Sequence, residues 1–232
     1  MKRLALSIVA LAALLMGTSV KAQEFFDTSN AEKFFTFGAR LGFNTSNRTF
    51  PAGNYTNYMF PSWGIGFNAG VIANINFKEY LTIQPGFFYE SRSSDLINIA
   101  DYLDNEGGKQ TYYEKDHLRA YYFTIPIMGI VKFNIADHIK WMVEFGPYFQ
   151  ICLKQTGQNN VMMLYRPSQS DFYAPYVAQH RGVDLGLKMG TGLHFYDHYY
   201  VGVHYLAGLC NVWKLPTGGR NKSWMFTVGY DF

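Results

Sequence analysis

Eight segments of this chain alternate between apolar and polar residues with a period of two. In the first segment, Phe37 and Leu41 fall on one parity, while Gly38 and Arg40 fall on the other. This period belongs to a β-strand with two different faces, whereas a helix would repeat every 3.6 residues. The segments are 34–44, 63–77, 81–92, 121–133, 139–153, 183–194, 199–209 and 223–232. The sequence therefore predicts an all-β fold of eight strands.

The connections between these segments alternate between short and long. Three short turns are predicted at 77–80, 134–138 and 195–198. Four long polar loops are predicted at 45–62, 93–116, 154–180 and 212–222. An antiparallel barrel that crosses a bacterial outer membrane has short periplasmic turns and longer extracellular loops. The spacing favours an even number of strands, with the first and the last strand paired.

The size of the side chains indicates which face of the strands is outside. The apolar parity is rich in large residues, drawn from 18 Tyr and 20 Phe in the whole chain, and we expect the other parity to be mostly Gly, Asn, Thr and charges. An eight-stranded barrel has little room inside, so the bulky side should face lipid. A soluble sandwich or a lipocalin-like barrel would also alternate, but it would enclose its aromatic side chains. Backbone in hydrocarbon must be fully paired, which requires closure. We therefore predict a closed antiparallel eight-stranded transmembrane β-barrel.

Aromatic residues near the predicted strand ends are typical of a membrane interface, where Tyr and Trp are enriched. The predicted periplasmic band consists of Tyr80, Phe133, Trp141 and Tyr199, and the outer band consists of Trp63, Tyr89 and Tyr121.

The first residues have the pattern of a secretory signal peptide. Lys2 and Arg3 precede an apolar run over 4–16, and Ala22 offers a small residue for cleavage. The run is shorter than the roughly 20 residues that a spanning helix needs. The expected parts are a cleaved signal peptide at 1–22, a short periplasmic N-terminal segment at 23–33 and the barrel domain at 34–232.

Charge and cysteine content argue against several functions. Removal of Lys2, Arg3 and Lys21 with the signal peptide lowers the formal charge from +3 to zero, so no basic stripe suited to nucleic acid is expected. Cys152 and Cys210 could form a bridge in an oxidising compartment, but the favoured interpretation is two unpaired thiols. No zinc-type spacing is present, and no metal or other cofactor is expected.

Several short motifs resemble one family of barrels. They are Thr124-Ile125-Pro126, Phe145-Gly146-Pro147-Tyr148, Asp184-Leu185-Gly186 and the ending Val228-Gly229-Tyr230-Asp231-Phe232. Together with the eight segments they look like the PorT-type outer membrane protein β-barrel or porin-family proteins. The resemblance implies outer-membrane localisation in a Gram-negative bacterium and, for some relatives, a part in protein secretion or envelope assembly. It also implies that Phe232 is a signal for the barrel assembly machinery.

Ionisable residues on the inward parity form the first candidate site. The predicted lumen charge network comprises Arg40, Glu90, Arg92, Lys132, Glu144, Asp184, Lys188 and Asp231, with Lys140, His194 and His204 on the same parity. Charges in a sealed interior must be paired, so a network that plugs the lumen is favoured. The alternative is a narrow path for protons or small ions.

Catalysis is not expected. The candidates for nucleophilic or acid–base work are His117, Ser168, Ser170, Asp171 and His180. They fall in or beside predicted loops without the spacing of a triad.

The long loops are the second candidate site. Segments 159–165 and 171–176 place apolar and aromatic residues in a predicted extracellular connection, where binding residues tend to gather. Packing of the loop on itself is the alternative. The expected partners are outer-membrane lipid, the assembly machinery during biogenesis and a protein at the loops, around a monomeric barrel.

Overall fold

A computed structural model describes residues 25–49, 59–103, 109–156, 182–212 and 219–232. The signal-peptide residues predicted at 1–22 lie outside this part of the chain. The eight strands are β1 (Phe35–Thr49), β2 (Met59–Lys78), β3 (Leu81–Leu103), β4 (Lys109–Ala136), β5 (Ile139–Thr156), β6 (Val183–Phe195), β7 (Tyr199–Gly208) and β8 (Arg220–Asp231). In the described residues no helix is long and apolar enough to cross a membrane.

The strands form one closed antiparallel barrel. Each strand pairs with the next along the chain, and β1 pairs with β8 through a register that includes Arg40 opposite Gly229. Closure leaves no unpaired sheet edge in the wall, as hydrocarbon requires. The predicted eight-stranded barrel is confirmed.

Three tight turns lie at one rim, at the three places that the sequence predicts. Glu79 and Tyr80 connect β2 to β3, Asp137 and His138 connect β4 to β5, and residues 196–198 connect β6 to β7. His138, Tyr196 and Asp197 have φ of 63°, 51° and 59°, the left-handed region that tight turns use. By the rule for outer-membrane barrels, this rim is periplasmic.

The strands at the opposite rim are longer than predicted. β3 continues to Leu103 and β4 begins at Lys109, so most of the predicted loop at 93–116 is a two-stranded ribbon. Strand also replaces predicted loop at the ends of β1, β2, β5 and β8. The alternation of apolar and polar residues did not predict strand here, because a strand beyond the hydrocarbon no longer needs an apolar outer face. Polar residues such as Ser93 and Asp95 can therefore continue the ladder.

The two faces of the wall are assigned as the sequence predicts. Phe37 and Ile65 are 60% and 73% exposed, whereas Asn44 and Asn68 are fully buried inside. The bulky apolar surface thus faces outward over the whole described wall, in the orientation that lipid requires.

The interior is less polar than expected. One buried cluster comprises Met128, Ile130, Met142 and Tyr200, and a second comprises Tyr148, Leu206 and Met225. Inward glycines make room for the large rings. A Cβ on Gly192 would lie 2.6 Å from the Tyr200 ring. The expectation that Gly, Asn, Thr and charges fill the inward parity was therefore only partly correct, because glycine on one strand allows an aromatic ring from the next.

The segment before β1 packs on the periplasmic end of the wall. The Phe26 ring lies 4.7 Å from Tyr80 and 5.3 Å from Phe133, centroid to centroid. Ser29 O accepts a hydrogen bond from Glu79 N at 3.2 Å, and Lys33 O accepts one from Asn76 Nδ2 at 2.9 Å. These contacts hold the segment against the first periplasmic turn.

Candidate functional site: the charged interior

The first interior cluster joins the two strands that close the barrel. Arg40 Nη1 on β1 donates a hydrogen bond to Asp231 Oδ1 on β8 at 2.5 Å. His194 Nε2 on β6 lies 3.2 Å from Asp231 Oδ2, and the Arg40 guanidinium lies 4.4 Å from the centre of the Tyr200 ring. Both charged side chains are buried. An ion pair in low dielectric is tolerated when it is hydrogen-bonded in this way.

The second cluster is a Tyr–Glu–His arrangement between β5 and β7. Tyr200 Oη donates to Glu144 Oε1 at 2.6 Å, and His204 Nε2 lies 2.8 Å from Glu144 Oε2. All three side chains are buried. This places the carboxylate of Glu144 between two partners. Whether His204 Nε2 donates a hydrogen bond to Glu144 depends on the tautomer of the ring.

The third cluster lies nearer the extracellular end. Arg92 donates through Nε and Nη2 to Glu90 Oε2, at 3.0 and 2.6 Å. The Arg92 guanidinium also lies 5.4 Å from the Tyr122 ring and 6.0 Å from the Tyr148 ring. Cation–π contacts of this kind add to the ion pair in a desolvated site.

The remaining predicted network residues have separate partners. Asp184 Oδ2 accepts a hydrogen bond from Asn221 Nδ2 at 3.1 Å, and Lys132 Nζ donates to Asn76 Oδ1 at 3.2 Å. Lys188 Nζ lies 5.0 Å from the centre of the Phe88 ring. Because Lys188 is on β6 and Phe88 is on β3, this contact spans the lumen.

Lys140 lies at the periplasmic rim, apart from the other inward candidates. Its Nζ lies 2.9 Å from Asp197 Oδ1 and 3.4 Å from Glu79 Oε2, two acids in the periplasmic turns. The hydrogen bond from Lys140 lowers the pKa of the Asp197 carboxyl below its usual value of 3.8. Lys140 therefore ties two turns together at the rim.

The residues considered for catalysis do not meet in the described structure. His117 lies on the outward face of β4, where its Nδ1 is 2.6 Å from Asp95 Oδ1. The other candidates, Ser168, Ser170, Asp171 and His180, lie outside the described residues, as do the loop segments 159–165 and 171–176. Within the described ranges, no group of three or more His, Cys, Asp or Glu side chains is placed to hold a metal ion. Cys152 and Cys210 are both free thiols.

Phe232 is outward and exposed at the periplasmic end. Its side chain is 67% exposed and its ring lies 5.5 Å from Tyr230. Its backbone N donates to Phe37 O at 2.8 Å, which adds one more bond between β8 and β1.

Sequence reasoning did not find the apolar clusters or the contacts that connect the charges. The inward parity of Met128, Met142 and Leu206 was visible in the alternation and could have revealed the clusters. The pairing of Glu144 with His204 had no such signal, because their strands are two apart in the wall and parity alone specifies only the face.

The chain belongs to the family described as outer membrane protein beta-barrel domain, whose model matches residues 21–214. It is therefore an outer-membrane β-barrel protein. No curated protein matches the chain.

Three solved structures are among those to which this chain is similar. Ail, the attachment invasion locus protein of Yersinia pestis, is 14% identical, with 86% of this chain and 100% of Ail covered and a TM-score of 0.41. OprG from Pseudomonas aeruginosa is 11% identical, with 89% of this chain and 98% of OprG covered and a TM-score of 0.44. Neisserial surface protein A is 10% identical, with 84% of this chain and 97% of that protein covered and a TM-score of 0.44.

Proposed function

We propose that this chain is a structural and interaction protein of the outer membrane that engages a protein partner through its extracellular ribbon, without catalysis. The observation that carries the proposal is the length of β3 and β4, which have 23 and 28 residues. A strand needs only about nine to eleven residues to cross the membrane. From the Tyr89–Tyr121 stack to Leu103, β3 adds roughly 45 Å of strand beyond the outer aromatic band.

A pre-formed ribbon is suited to binding because little conformational entropy is lost when it meets a partner. Its backbone is paired from Ser94 opposite Leu118 to Leu103 opposite Lys109. In the sequence, the predicted loop segments 159–165 and 171–176 lie between β5 and β6, and we propose that they are extracellular as well. Together they support an interaction role at this surface.

The interior contacts support a sealed lumen over the alternative of a narrow solute pore. Arg40–Asp231 and Arg92–Glu90 pair opposite charges, Glu144 lies 2.8 Å from His204, and the apolar clusters lie among them. Contacts such as Lys188 to Phe88 cross the space that a pore would need. The eight predicted network residues therefore act as a plug in this proposal.

A role in protein secretion or envelope assembly is the second candidate function. It rests on the resemblance of the strand motifs to PorT-type barrels, and the ribbon would be the part that meets the machinery. In both cases the signal peptide is cleaved near Ala22, the assembly machinery recognises Phe232, and the barrel is a monomer in outer-membrane lipid.

The test removes the ribbon and leaves the wall intact. Residues 96–116 are replaced by Asn-Gly, a turn suited to a two-residue hairpin, which joins Asp95 to its pairing partner His117. The matched control replaces only 104–108 with Asn-Gly, between the paired Leu103 and Lys109. Folding of both is checked by the heat-dependent shift of the barrel band in gels.

Crosslinked outer membranes are then compared by quantitative pull-down. The full chain and the control should recover the same protein, and the ribbon-less variant should lose it. Recovery of secretion components, with a loss of secreted protein in the ribbon-less strain, would favour the second candidate. Equal recovery by all three forms contradicts an interaction role for the ribbon.

A further inference from the structure

An open groove of about 560 Å³ lies on the outer surface of the wall, near the extracellular end. Its lining includes Trp63, Ile65, Ser93, His117, Arg119 and Thr156. The groove lies between two β-bulges, one between β2 and β3 near Trp63 and the other between β4 and β5 near Tyr121. Because bulges bend strands and redirect side chains, they account for a concavity in a wall that is otherwise convex.

One positive side chain lines this groove and two others lie beside it. Arg119 is exposed, and its Nε donates a long hydrogen bond of 3.3 Å to Ser93 Oγ. Lys222 on β8 reaches over the Trp63 ring, with Nζ 5.4 Å from the ring centre. Lys154 on β5 is exposed opposite Tyr121. These three residues are called the basic patch below.

The acid in the groove, Asp95, has a histidine as one of its partners. Asp95 Oδ1 lies 2.6 Å from His117 Nδ1, an exposed imidazole on the next strand. Among the described residues, no carboxylate lies within ion-pair distance of Arg119 or Lys222. Within the described ranges, Arg119 and Lys222 therefore lack an acidic partner that would compete with an anion from outside.

The depth of the groove restricts the identity of that anion. Tyr89 and Tyr121 stack at 6.1 Å directly below it, and below them the outward wall is apolar, with Phe67 and Phe87 exposed. Arg119 pairs with Ser93, the next outward pair beyond Tyr121 and Ser91. A molecule that fills this position needs a charged head at the level of the interface and hydrocarbon chains below it.

The opposite rim lacks this arrangement. Lys140 there is held by Asp197 and Glu79, and Lys78 donates to Asn30 Oδ1 at 2.7 Å. Two lysines at the periplasmic end therefore already have partners, whereas Arg119 and Lys222 flank an open groove at the extracellular end, where the headgroups of the outer leaflet lie.

We propose that the groove binds the phosphate of a phosphorylated glycolipid of the outer leaflet, with the acyl chains lying on the aromatic wall. Arg119 supplies a planar fork suited to phosphate oxygens, and Lys222 and Lys154 add point charges. Basic clusters near the membrane surface attract anionic headgroups, by about 1 kcal/mol for each Lys or Arg. The glycolipid would thereby fix the depth and rotation of the barrel in the membrane.

The test titrates the purified full chain in a neutral detergent with fluorescent bisphosphorylated lipid A at low salt. The double variant R119Q/K222Q removes two charges of the basic patch. The control K33Q/K78Q removes the same charge from the periplasmic end. With about 1 kcal/mol for each charge, the double variant should bind roughly thirtyfold more weakly, while the control should match the unaltered chain.

Two further probes identify the ligand chemistry. Dephosphorylated lipid A should bind weakly and be insensitive to R119Q/K222Q, and excess inorganic phosphate should not displace the bound glycolipid. If the double variant does not fold, the single variants R119Q and K222Q should each weaken binding about fivefold. Equal affinity of the unaltered chain and R119Q/K222Q, or no preference for the phosphorylated lipid, overturns the proposal. Displacement by inorganic phosphate also overturns it, since the site would then take the free ion.

Discussion

Arg40 and Asp231 form an ion pair inside the barrel, with Nη1 and Oδ1 2.5 Å apart, although 191 positions separate them in the sequence. They lie on the two strands whose pairing closes the wall, β1 and β8. The pair therefore reinforces the seam from the inside, where water cannot compete for the charges.

The first prediction concerns this seam. Asp231→Leu should lower the free energy of unfolding by about 3–5 kcal/mol, because it leaves Arg40 buried without its counter-ion. Urea unfolding in lipid vesicles, followed by tryptophan fluorescence, measures the loss. The double variant R40M/D231L should recover most of it, since no unpaired charge remains. If the double variant is as unstable as the single one, packing and not charge explains the effect.

The second prediction concerns a glycine at the same seam. A Cβ on Gly42 would collide with the backbone carbonyl of Phe226 on β8. Gly42→Ala should therefore cost about 1–3 kcal/mol of unfolding free energy, the usual range for overpacking. Gly182→Ala is the matched control, because a Cβ there meets no atom within 4 Å. Equal stability of the two variants in the same urea titration would contradict close strand packing at Gly42.

The third prediction concerns ion conduction. The full chain in a planar bilayer should show no steady current, because paired charges and the cluster around Met128 and Met142 fill the lumen. A combined M128A/M142A variant removes apolar volume at that level and is expected to raise leak current above the unaltered chain. A steady current in the unaltered chain that is abolished by neutralising Arg40 or Glu144 would show an ion path in place of a plug.

The fourth prediction separates assembly from stability. Phe232→Ala should reduce the amount of assembled barrel in the outer membrane of cells, because the assembly machinery is expected to recognise this aromatic side chain. Folding of the purified variant into vesicles should change little, since the ring lies at the rim and loses few contacts with the rest of the barrel. Phe232→Tyr, which keeps the ring, serves as the control. An equal loss in cells and in vesicles would assign Phe232 to stability alone.

The fifth prediction is a pH dependence at the periplasmic rim. The pKa of Asp197 is lower in the folded chain because Lys140 donates to its carboxylate. Its contribution to stability is therefore present above pH 3.8 and is lost as the pH falls through the folded pKa. Asp197→Asn, which tolerates the positive φ, should be less stable than the unaltered chain at neutral pH by less than about 1 kcal/mol, because the site is exposed. Urea titrations across this range should show the difference shrink in acid; a constant difference contradicts the ion pair.

The wall of the barrel could be predicted from the sequence because lipid imposes one rule on every strand that it touches. In β2, for example, Ile65 and Val71 must be apolar, while Asn68 and Asn74 on the other parity are free to be polar. That rule applies only up to the aromatic band, so it gave no information on the ribbon of β3 and β4 beyond Arg92.

For the interior of the barrel, the sequence predicted only which residues face inward. Parity placed Glu144 and His204 inside, but the distance between them depends on how the closed wall brings β5 and β7 together. Tyr148 and Tyr200 were on the inward parity as well, and their packing depends on glycines of neighbouring strands. Three-dimensional neighbours across a lumen have no fixed sequence spacing, which is why the contacts had to come from the structure.

The pairing of β1 with β8 also restricts when the molecule can finish folding. Without β8 the wall stays open, and the earlier strands expose their apolar outward side chains and an unpaired edge on β1. Such edges recruit other chains. Until β8 pairs with β1, the chain is therefore open to edge-to-edge association with other chains.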